Sequence, residues 1–307
     1  MSPDKLSWFP WPHRLSAQTQ GVAAINIAAV IFGTAALYGK LDVSPFWIVA
    51  MRAGFGTLAL ALMGGFTASL WTIPVRSWRI LGVSGLLLAA HWLTFFMSVQ
   101  LAGVAVAALT SATFPLFTVI VEAAQRRRLP RPAELMAGVV IMAAVALLIE
   151  PGGGERNVSG AVAGLVSAFA YALFWRVCQR LGQSLSPAAI SLSQNGIVFV
   201  LLAPALFFAA PAPVRSVEWV SLIALGVFNT AVLLLLYHYA LRRISAGTCS
   251  GFVALEPIYA IALAALLFNE PVTPWTVVSI LLIIGASLAL LRIDSPQRHD
   301  DAKKCRP

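Results

Sequence analysis

Hydrophobic residues fall in ten long runs along the chain, separated by short polar or turn-forming segments. The runs are close to the length of about 20 residues that a helix needs to cross a bilayer. They show none of the short apolar–polar alternation that a transmembrane barrel requires. The pattern therefore predicts ten transmembrane helices, over residues 20–39, 45–65, 78–99, 103–124, 133–149, 159–178, 187–209, 217–240, 245–268 and 274–291.

Prolines in the two halves of the chain are related by a constant spacing. Pro115 and Pro257 lie near the middle of the fourth and ninth runs and are 142 residues apart. Pro132 and Pro274 follow them by 17 residues each and are therefore also 142 residues apart. One spacing that relates both pairs indicates an internal repeat.

The repeat has five helices in each half, and five is an odd number. The second half must therefore enter the membrane from the side opposite to the first, as in inverted-repeat carriers. The sequence predicts an all-α polytopic membrane protein, built as two inverted five-helix repeats around a central cavity. The predicted division is a cytoplasmic segment 1–19, a first repeat 20–149, a periplasmic linker 150–158, a second repeat 159–291 and a disordered cytoplasmic tail 292–307.

Composition and charge support a membrane location. The chain is 59% hydrophobic and 11% charged, whereas soluble domains carry about 25% charged residues. Of its 21 Lys and Arg residues, 17 lie on the side of both termini, and Lys40, Arg156 and Arg215 lie on the other. This bias predicts that both termini face the cytoplasm. It also accounts for the net charge of +9 without a nucleic-acid partner.

The sequence contains no pattern typical of an enzyme or of a cofactor site. It lacks a Walker A sequence, an H-E-x-x-H motif and paired aspartates within the spans. Cys178, Cys249 and Cys305 form no C-x-x-C pattern, so neither a disulfide nor a metal site is predicted. The first apolar run has no cleavage site after it and is interpreted as a retained helix.

The two midspan prolines predict kinks. A proline within a helix frees the carbonyl four residues earlier, which is that of Ser111 for Pro115 and that of Val253 for Pro257. In lipid, a freed carbonyl needs a partner or a water-filled cavity. Two kinks at equivalent positions favour a substrate cavity near the midplane, although ordinary structural kinks are the alternative.

Glu256 is the only carboxylate deep within a predicted span. A charged group there costs at least about 2.5 kcal/mol, so it should face the protein interior. It either binds a cation or ammonium group or exchanges a proton, or it stays protonated in a structural hydrogen bond. Both alternatives remain open from the sequence.

Arg52 lies seven residues into its span after Pro45. It either extends towards the interface or acts as a gate or a site for a substrate carboxylate. The repeat spacing places Gln194 at the equivalent position in the second half. Four further residues are predicted to line the cavity together with Glu256, Pro257, Ser111 and Pro115: His91, Phe95, Phe114 and Tyr171.

Taken together, these features resemble the drug/metabolite transporter superfamily, in particular its ten-helix exporters with two EamA-type repeats. The resemblance covers residues 20–291 and rests on Leu255-Glu256-Pro257, Asn269-Glu270-Pro271, Pro274, Ser111 to Pro115, Arg52 and Gly33. The first copy departs from the second, with Phe114 in place of Glu256 and Arg128 in place of Glu270. The first span also lacks the glutamate that small four-helix members use for proton exchange.

The resemblance implies a carrier in the bacterial inner membrane with a small-molecule substrate and no cofactor. Among known members, the aromatic and hydrophobic amino-acid exporters fit best, since an amino acid needs an ammonium site, a carboxylate site and an apolar pocket. Export of cationic drugs or other metabolites, or a channel-like facilitator without ion coupling, are the alternatives. The oligomeric state is not predicted.

Overall fold

The computed structural model describes residues 16–63, 73–149, 154–182 and 184–304, with the backbone alone at 246–247, 250–251 and 291–304. Every regular element in these ranges is helical. The helices are α1 Ala17–Thr34, α2 Pro45–Leu62, α3 Val75–Ser111, α4 Phe114–Gln125, α5 Pro132–Leu148, α6 Gly154–Leu181, α7 Pro187–Leu202, α8 Ser216–Gly226, α9 Leu233–Leu241, α10 Ala246–Val253, α11 Glu256–Phe268 and α12 Pro274–Lys304.

These elements form ten apolar helical segments, as the sequence predicts. Six are long and apolar enough to cross a membrane: Ala17–Lys40, Pro45–Leu62, Val75–Ser111, Gly154–Leu181, Pro187–Phe207 and Ser216–Leu241. Four shorter apolar helices complete the set: Phe114–Gln125, Pro132–Leu148, Glu256–Phe268 and Pro274–Leu290. The prediction of an all-helical membrane protein is confirmed.

Three of the long segments change their helical type along their length. The first ends in a 3-10 turn over Ala35–Lys40, and the seventh ends in another over Ala203–Phe207. The eighth contains a π-helical turn over Val227–Val232 between α8 and α9. Turns of this kind widen or tighten a helix locally and are frequent at functional positions.

Two parts of the predicted division differ from the structure. Residues 154–158, predicted as linker, already belong to α6. Residues 292–304, predicted as disordered, continue α12, because extending an existing helix adds one hydrogen bond per residue without a new nucleation cost. Residues 1–15, 150–153 and 305–307 of the predicted terminal segments and linker lie outside the described residues.

The repeat spacing recurs at the helix starts. Pro45 and Pro187 are 142 residues apart and both begin a helix, α2 and α7. Proline suits the first turn because its missing N–H would have no partner there and its φ is already helical. The helix starts therefore follow the same periodicity as the midspan prolines.

Helix packing also has the symmetry of the repeat, because several contacts between two helices have counterparts between the equivalent helices of the other half. The largest interface joins α3 and α6, and its counterpart joins α9 and α1. The contact of α4 with α6 corresponds to that of α11 with α1, while α2 packs on α7 and α5 packs on α12. The halves are thus interleaved, and the main apolar cluster contains residues from both, including Ile48, Phe96 and Leu222.

The outer surface is apolar, as a lipid-facing surface must be. Val139 on α5 and Leu281 on α12 are 66% and 68% exposed, and Val200 on α7 is 70% exposed. Soluble monomers rarely expose contiguous apolar patches of this kind. In a bilayer these side chains contact lipid chains.

Candidate functional site

The structure interrupts the fourth and ninth predicted spans, residues 103–124 and 245–268, near their middle. α3 ends at Ser111 and α4 begins at Phe114, while α10 ends at Val253 and α11 begins at Glu256. The interruptions have nearly identical backbone conformations: Thr113 has φ −76° and ψ −2°, and Leu255 has φ −83° and ψ −7°. The two breaks are therefore the same structural feature in both repeats.

The prolines start helices at these breaks instead of kinking continuous ones. Pro115 and Pro257 are both buried and follow the first residue of α4 and α11. In the first turn of a helix, the backbone N–H that proline lacks would have no acceptor within the helix. These prolines therefore do not remove an internal hydrogen bond, in contrast to the loss that the sequence analysis predicted. Each break leaves a helix N-terminus, carrying partial positive charge, facing the protein interior.

Glu256 is the first residue of α11, so its carboxylate lies where the helix dipole stabilises a negative charge. Its backbone is held close to α1: a Cβ on Gly33 would lie 2.8 Å from Tyr259 Cβ and 3.2 Å from the Glu256 carbonyl oxygen. Among the described residues, the ion pairs at hydrogen-bonding distance do not involve Glu256. The close α1–α11 contact thus fixes the backbone at Glu256.

Tyr171 on α6 is the centre of an aromatic group that joins three helices. Its ring stacks on His91 of α3, with centroids 4.4 Å apart and planes 23° apart. Phe114 of α4 meets the same ring edge-on at 5.2 Å, and Phe174 stacks on it at 5.8 Å. Phe95 lies beyond His91 at 6.3 Å and is nearly buried. The structure therefore brings four predicted cavity residues together.

His91 is oriented by Ser167. Its Nδ1 lies 3.1 Å from the Ser167 carbonyl oxygen and 2.8 Å from the Ser167 hydroxyl, which donates to the His91 carbonyl at 3.0 Å. Because a carbonyl oxygen can only accept, these contacts are satisfied when Nδ1 carries the proton. In the neutral ring, Nε2 is then left as an acceptor.

Arg52 is 6% exposed and does not extend to the interface. Its guanidinium lies 4.1 Å from the centre of the Trp92 ring, a cation–π contact, and its Nη2 donates to the Asn229 carbonyl at 3.3 Å. Its Nε is buried without an acceptor in the described part of the chain. Among the described residues, no ion pair at hydrogen-bonding distance involves Arg52.

Asn229 anchors this arrangement and was missed by the sequence analysis. It lies in the π-helical turn, and its amide donates to the Ile31 carbonyl and to Thr34 Oγ1, the latter at 3.0 Å. The polar side chain in an apolar run was a signal that could have been used. The turn links Arg52 on α2 to the end of α1, which carries Gly33.

Gln194 does not share the environment of Arg52, although the repeat places it at the equivalent position. Its amide nitrogen donates to Ser84 Oγ at 3.1 Å and to Cys178 Sγ at 3.2 Å. It therefore ties α7 to α3 and α6. Ser111 lies at the break, as the last residue of α3.

A cavity of about 250 Å³ lies apart from this group. It is bounded by parts of α3, α5, α6 and the α11–α12 connection, and its polar lining includes Asn157, Glu270, Thr273 and Thr276. It thus opens beside Glu270, and not beside Glu256. Within the described residues, no three His, Cys, Asp or Glu side chains are grouped as a metal site would require.

Comparison with known proteins identifies the family. The sequence matches the EamA-like transporter family over residues 19–150 and 158–292. The chain belongs to this family. It is therefore a polytopic membrane transporter, not an enzyme, and a relative of the drug/metabolite transporters, which confirms the resemblance noted from the sequence.

Relatives of this EamA-like transporter come from bacteria and archaea. It is 23% identical over 289 residues to the uncharacterized transporter YxxF of Bacillus subtilis, covering 91% of this chain and 92% of that protein. An uncharacterized transporter of Archaeoglobus fulgidus is 25% identical over 254 residues, covering 82% and 89%. A protein of known crystal structure shares the fold with a TM-score of 0.62 and 20% identity, covering 91% of this chain and 99% of that one. None of these names specifies a substrate.

Proposed function

We propose that this EamA-like transporter exports aromatic or other hydrophobic amino acids by alternating access around the two helix breaks. The observation that carries the proposal is the position of Glu256. Glu256 is the first residue of the half-helix α11, followed by the buried Pro257, and its backbone packs against Gly33 of α1. A membrane carboxylate in this setting is typical of substrate or ion sites.

The surrounding groups match the parts of an amino acid. Glu256 binds the ammonium group. The unpaired Nε of Arg52 and the N-terminus of α4 are available for the carboxylate. The aromatic group around Tyr171, with His91 and Phe114, contacts the apolar side chain.

The transporter is proposed to lie in the bacterial inner membrane with both termini in the cytoplasm, as the distribution of Lys and Arg predicts. Because the sequence has no nucleotide-binding motif, transport is driven by the substrate gradient or by coupling to an ion. Cationic drugs and other small metabolites are the alternative substrates, since an anionic group beside aromatic rings also suits an organic cation. A facilitator without ion coupling is the alternative mechanism.

The test is uptake of labelled tryptophan, phenylalanine and threonine into liposomes that contain the purified protein, with and without a proton gradient. Saturable uptake of the aromatic amino acids above that of empty liposomes is expected. A response to the gradient distinguishes a coupled carrier from a facilitator. No uptake of any amino acid, together with uptake of an aromatic amine, would replace the proposal by the cationic alternative.

A further inference from the structure

Three residues that the proposed site does not use meet at one end of the molecule. α3 is interrupted at Gly103, where the backbone has φ +86°. The next residue, Val104, donates its backbone N–H to Glu270 Oε1 at 2.7 Å. Lys40 Nζ lies 3.2 Å from the other oxygen of the same carboxylate. Glu270 belongs to the second half, and its two partners belong to the first.

Gly103 is required at this contact for two reasons. A φ of +86° is strained for any residue with a side chain. In addition, a Cβ at this position would overlap Glu270 Oε1. A glycine therefore stands at position 103, where the Glu270 carboxylate of the other half caps the start of the helical segment 104–111.

The equivalent positions at the opposite end are connected differently. Arg128, the repeat counterpart of Glu270, pairs with Glu134 of its own half at 2.8 Å. Ser245, the counterpart of Gly103, caps α10 locally by accepting from the Thr248 N–H at 3.1 Å. Glu270 thus joins the two halves, whereas the contacts of Arg128 with Glu134 and of Ser245 with Thr248 each lie within one half.

Helix packing shows the same difference. α3 packs on α11 at the Glu270 end, where Ala105, Ile261 and Ala264 line a narrow gap. The repeat relates α11 to α4 and the end of α3 to α10. In the described chain, α4 and α10 form no contact comparable to that of α11 with α3. Among the described residues, the half-helices therefore pack closely at the Glu270 end.

We propose that Lys40, Glu270 and the Gly103–Val104 backbone form a latch that closes this end of the transporter and must open in each transport cycle. The inference rests on the alternating-access mechanism proposed above. Because Glu270 contacts Lys40 and Val104 of the other half while this end is closed, the latch stabilises the state seen here. Weakening it shifts the equilibrium towards a state open at the Glu270 end, by about tenfold for loss of one hydrogen bond to a charged group.

The first test measures opening without any substrate. Ala264 is 1% exposed, and a cysteine placed there, in a variant without Cys178, Cys249 and Cys305, reports access to the gap. Its reaction with a membrane-impermeant thiol reagent is expected to be about ten times faster with Glu270→Gln. A smaller increase is expected with Lys40→Met, because its ion pair with Glu270 is partly exposed. Gly103→Ala should act in the same direction, because its methyl group displaces the carboxylate.

Glu218→Gln is the matched control. Glu218 also caps a helix start, accepting from the Val214 and Arg215 N–H groups at 2.8 and 2.9 Å, and it pairs with Arg215. All these contacts lie within one half. Labelling at Ala264→Cys should remain at the unsubstituted rate in this control. Equal rates in Glu270→Gln, Lys40→Met and the control, in protein that keeps its elution volume and melting temperature, would overturn the latch.

The second test asks whether the latch must open during transport. Lys40→Cys and Glu270→Cys, joined by a short reducible bifunctional thiol reagent, should stop transport, and reduction should restore it. Continued transport by fully cross-linked protein would show that the contact is structural and overturn the gating role. If the unmodified protein transports no amino acid, the proposed function fails, whereas the labelling test still decides the latch.

Discussion

Glu256 and Phe114 occupy the same place in the two repeats: each is the first residue of the half-helix that begins at a midmembrane break. The equivalent breaks therefore carry a carboxyl group in the second repeat and an aromatic ring in the first. Phe114 meets the ring of Tyr171 edge-on, with centroids 5.2 Å apart. In the proposed function, the internal symmetry gives the two breaks the same geometry, and the difference between the two residues supplies the polar and the apolar part of the substrate site.

Arg52→Lys is expected to impair transport of amino acids almost as strongly as Arg52→Gln. Lysine keeps the charge but loses the planar guanidinium that stacks on Trp92 and donates to Asn229. Uptake of tryptophan should fall about tenfold or more, because the proposed hydrogen bond between the Arg52 guanidinium and the substrate carboxylate is lost.

Uptake of tryptamine, which has no carboxylate, is the control measurement for the Arg52 variants. The proposed role of Arg52 predicts a smaller loss for the amine than for the amino acid. An equal loss for both compounds would show that Arg52 supports the structure and does not bind a carboxylate.

Tyr171→Ala is expected to raise the KM for aromatic amino acids about tenfold, because it removes the ring that joins His91 and Phe114. Tyr171→Phe keeps the ring and should leave KM near the original value. Initial rates of uptake over a range of substrate concentrations measure both. A similar rise of KM in Tyr171→Phe would assign the effect to the hydroxyl and contradict the stacking role.

Ser167→Ala should weaken transport without unfolding the protein, because it removes the hydroxyl that lies 2.8 Å from His91 Nδ1 and donates to the His91 carbonyl. The Ser167 carbonyl still accepts from His91, so a loss of about two- to tenfold in kcat/KM is expected. Thermal unfolding measured in parallel should shift little. Unchanged kinetics would show that the orientation of His91 does not matter to transport.

Gly33→Ala is expected to lower the stability of the protein by about 1–3 kcal/mol, because the added methyl group would meet the backbone of α11. Gly82→Ala is the matched control: it also lies within a helix, and its Cβ would meet nothing within 4 Å. Alanine there should be neutral or slightly stabilising. Melting temperatures in detergent compare the two, and equal values would contradict the close α1–α11 contact.

The sequence was sufficient to predict the ten segments and the repeat, because hydrophobic runs and prolines are local signals. It did not predict the contacts of Arg52 with Trp92 and Asn229, or of Glu270 with Lys40. These contacts join residues far apart in the chain. Helices that are apolar on all sides carry no periodicity to indicate which face points inward.

Gln194 shows a second limit of sequence reasoning. The repeat spacing correctly relates it to Arg52, but symmetry of position does not determine the partners of a side chain. Its contacts with Ser84 and Cys178 depend on how α7 packs against α3 and α6. The functional difference between the halves therefore arises from side chains that the repeat does not share.

The measurement that tests the central claim most directly is uptake of labelled tryptophan by liposomes containing either the unsubstituted protein or Glu256→Gln, at equal and verified amounts of folded protein. The substitution keeps the shape of the side chain. It removes the negative charge that is proposed to bind the ammonium group of the substrate. A loss of at least about tenfold is predicted. Uptake at the unsubstituted rate and KM would contradict the proposal and leave Glu256 with a structural role.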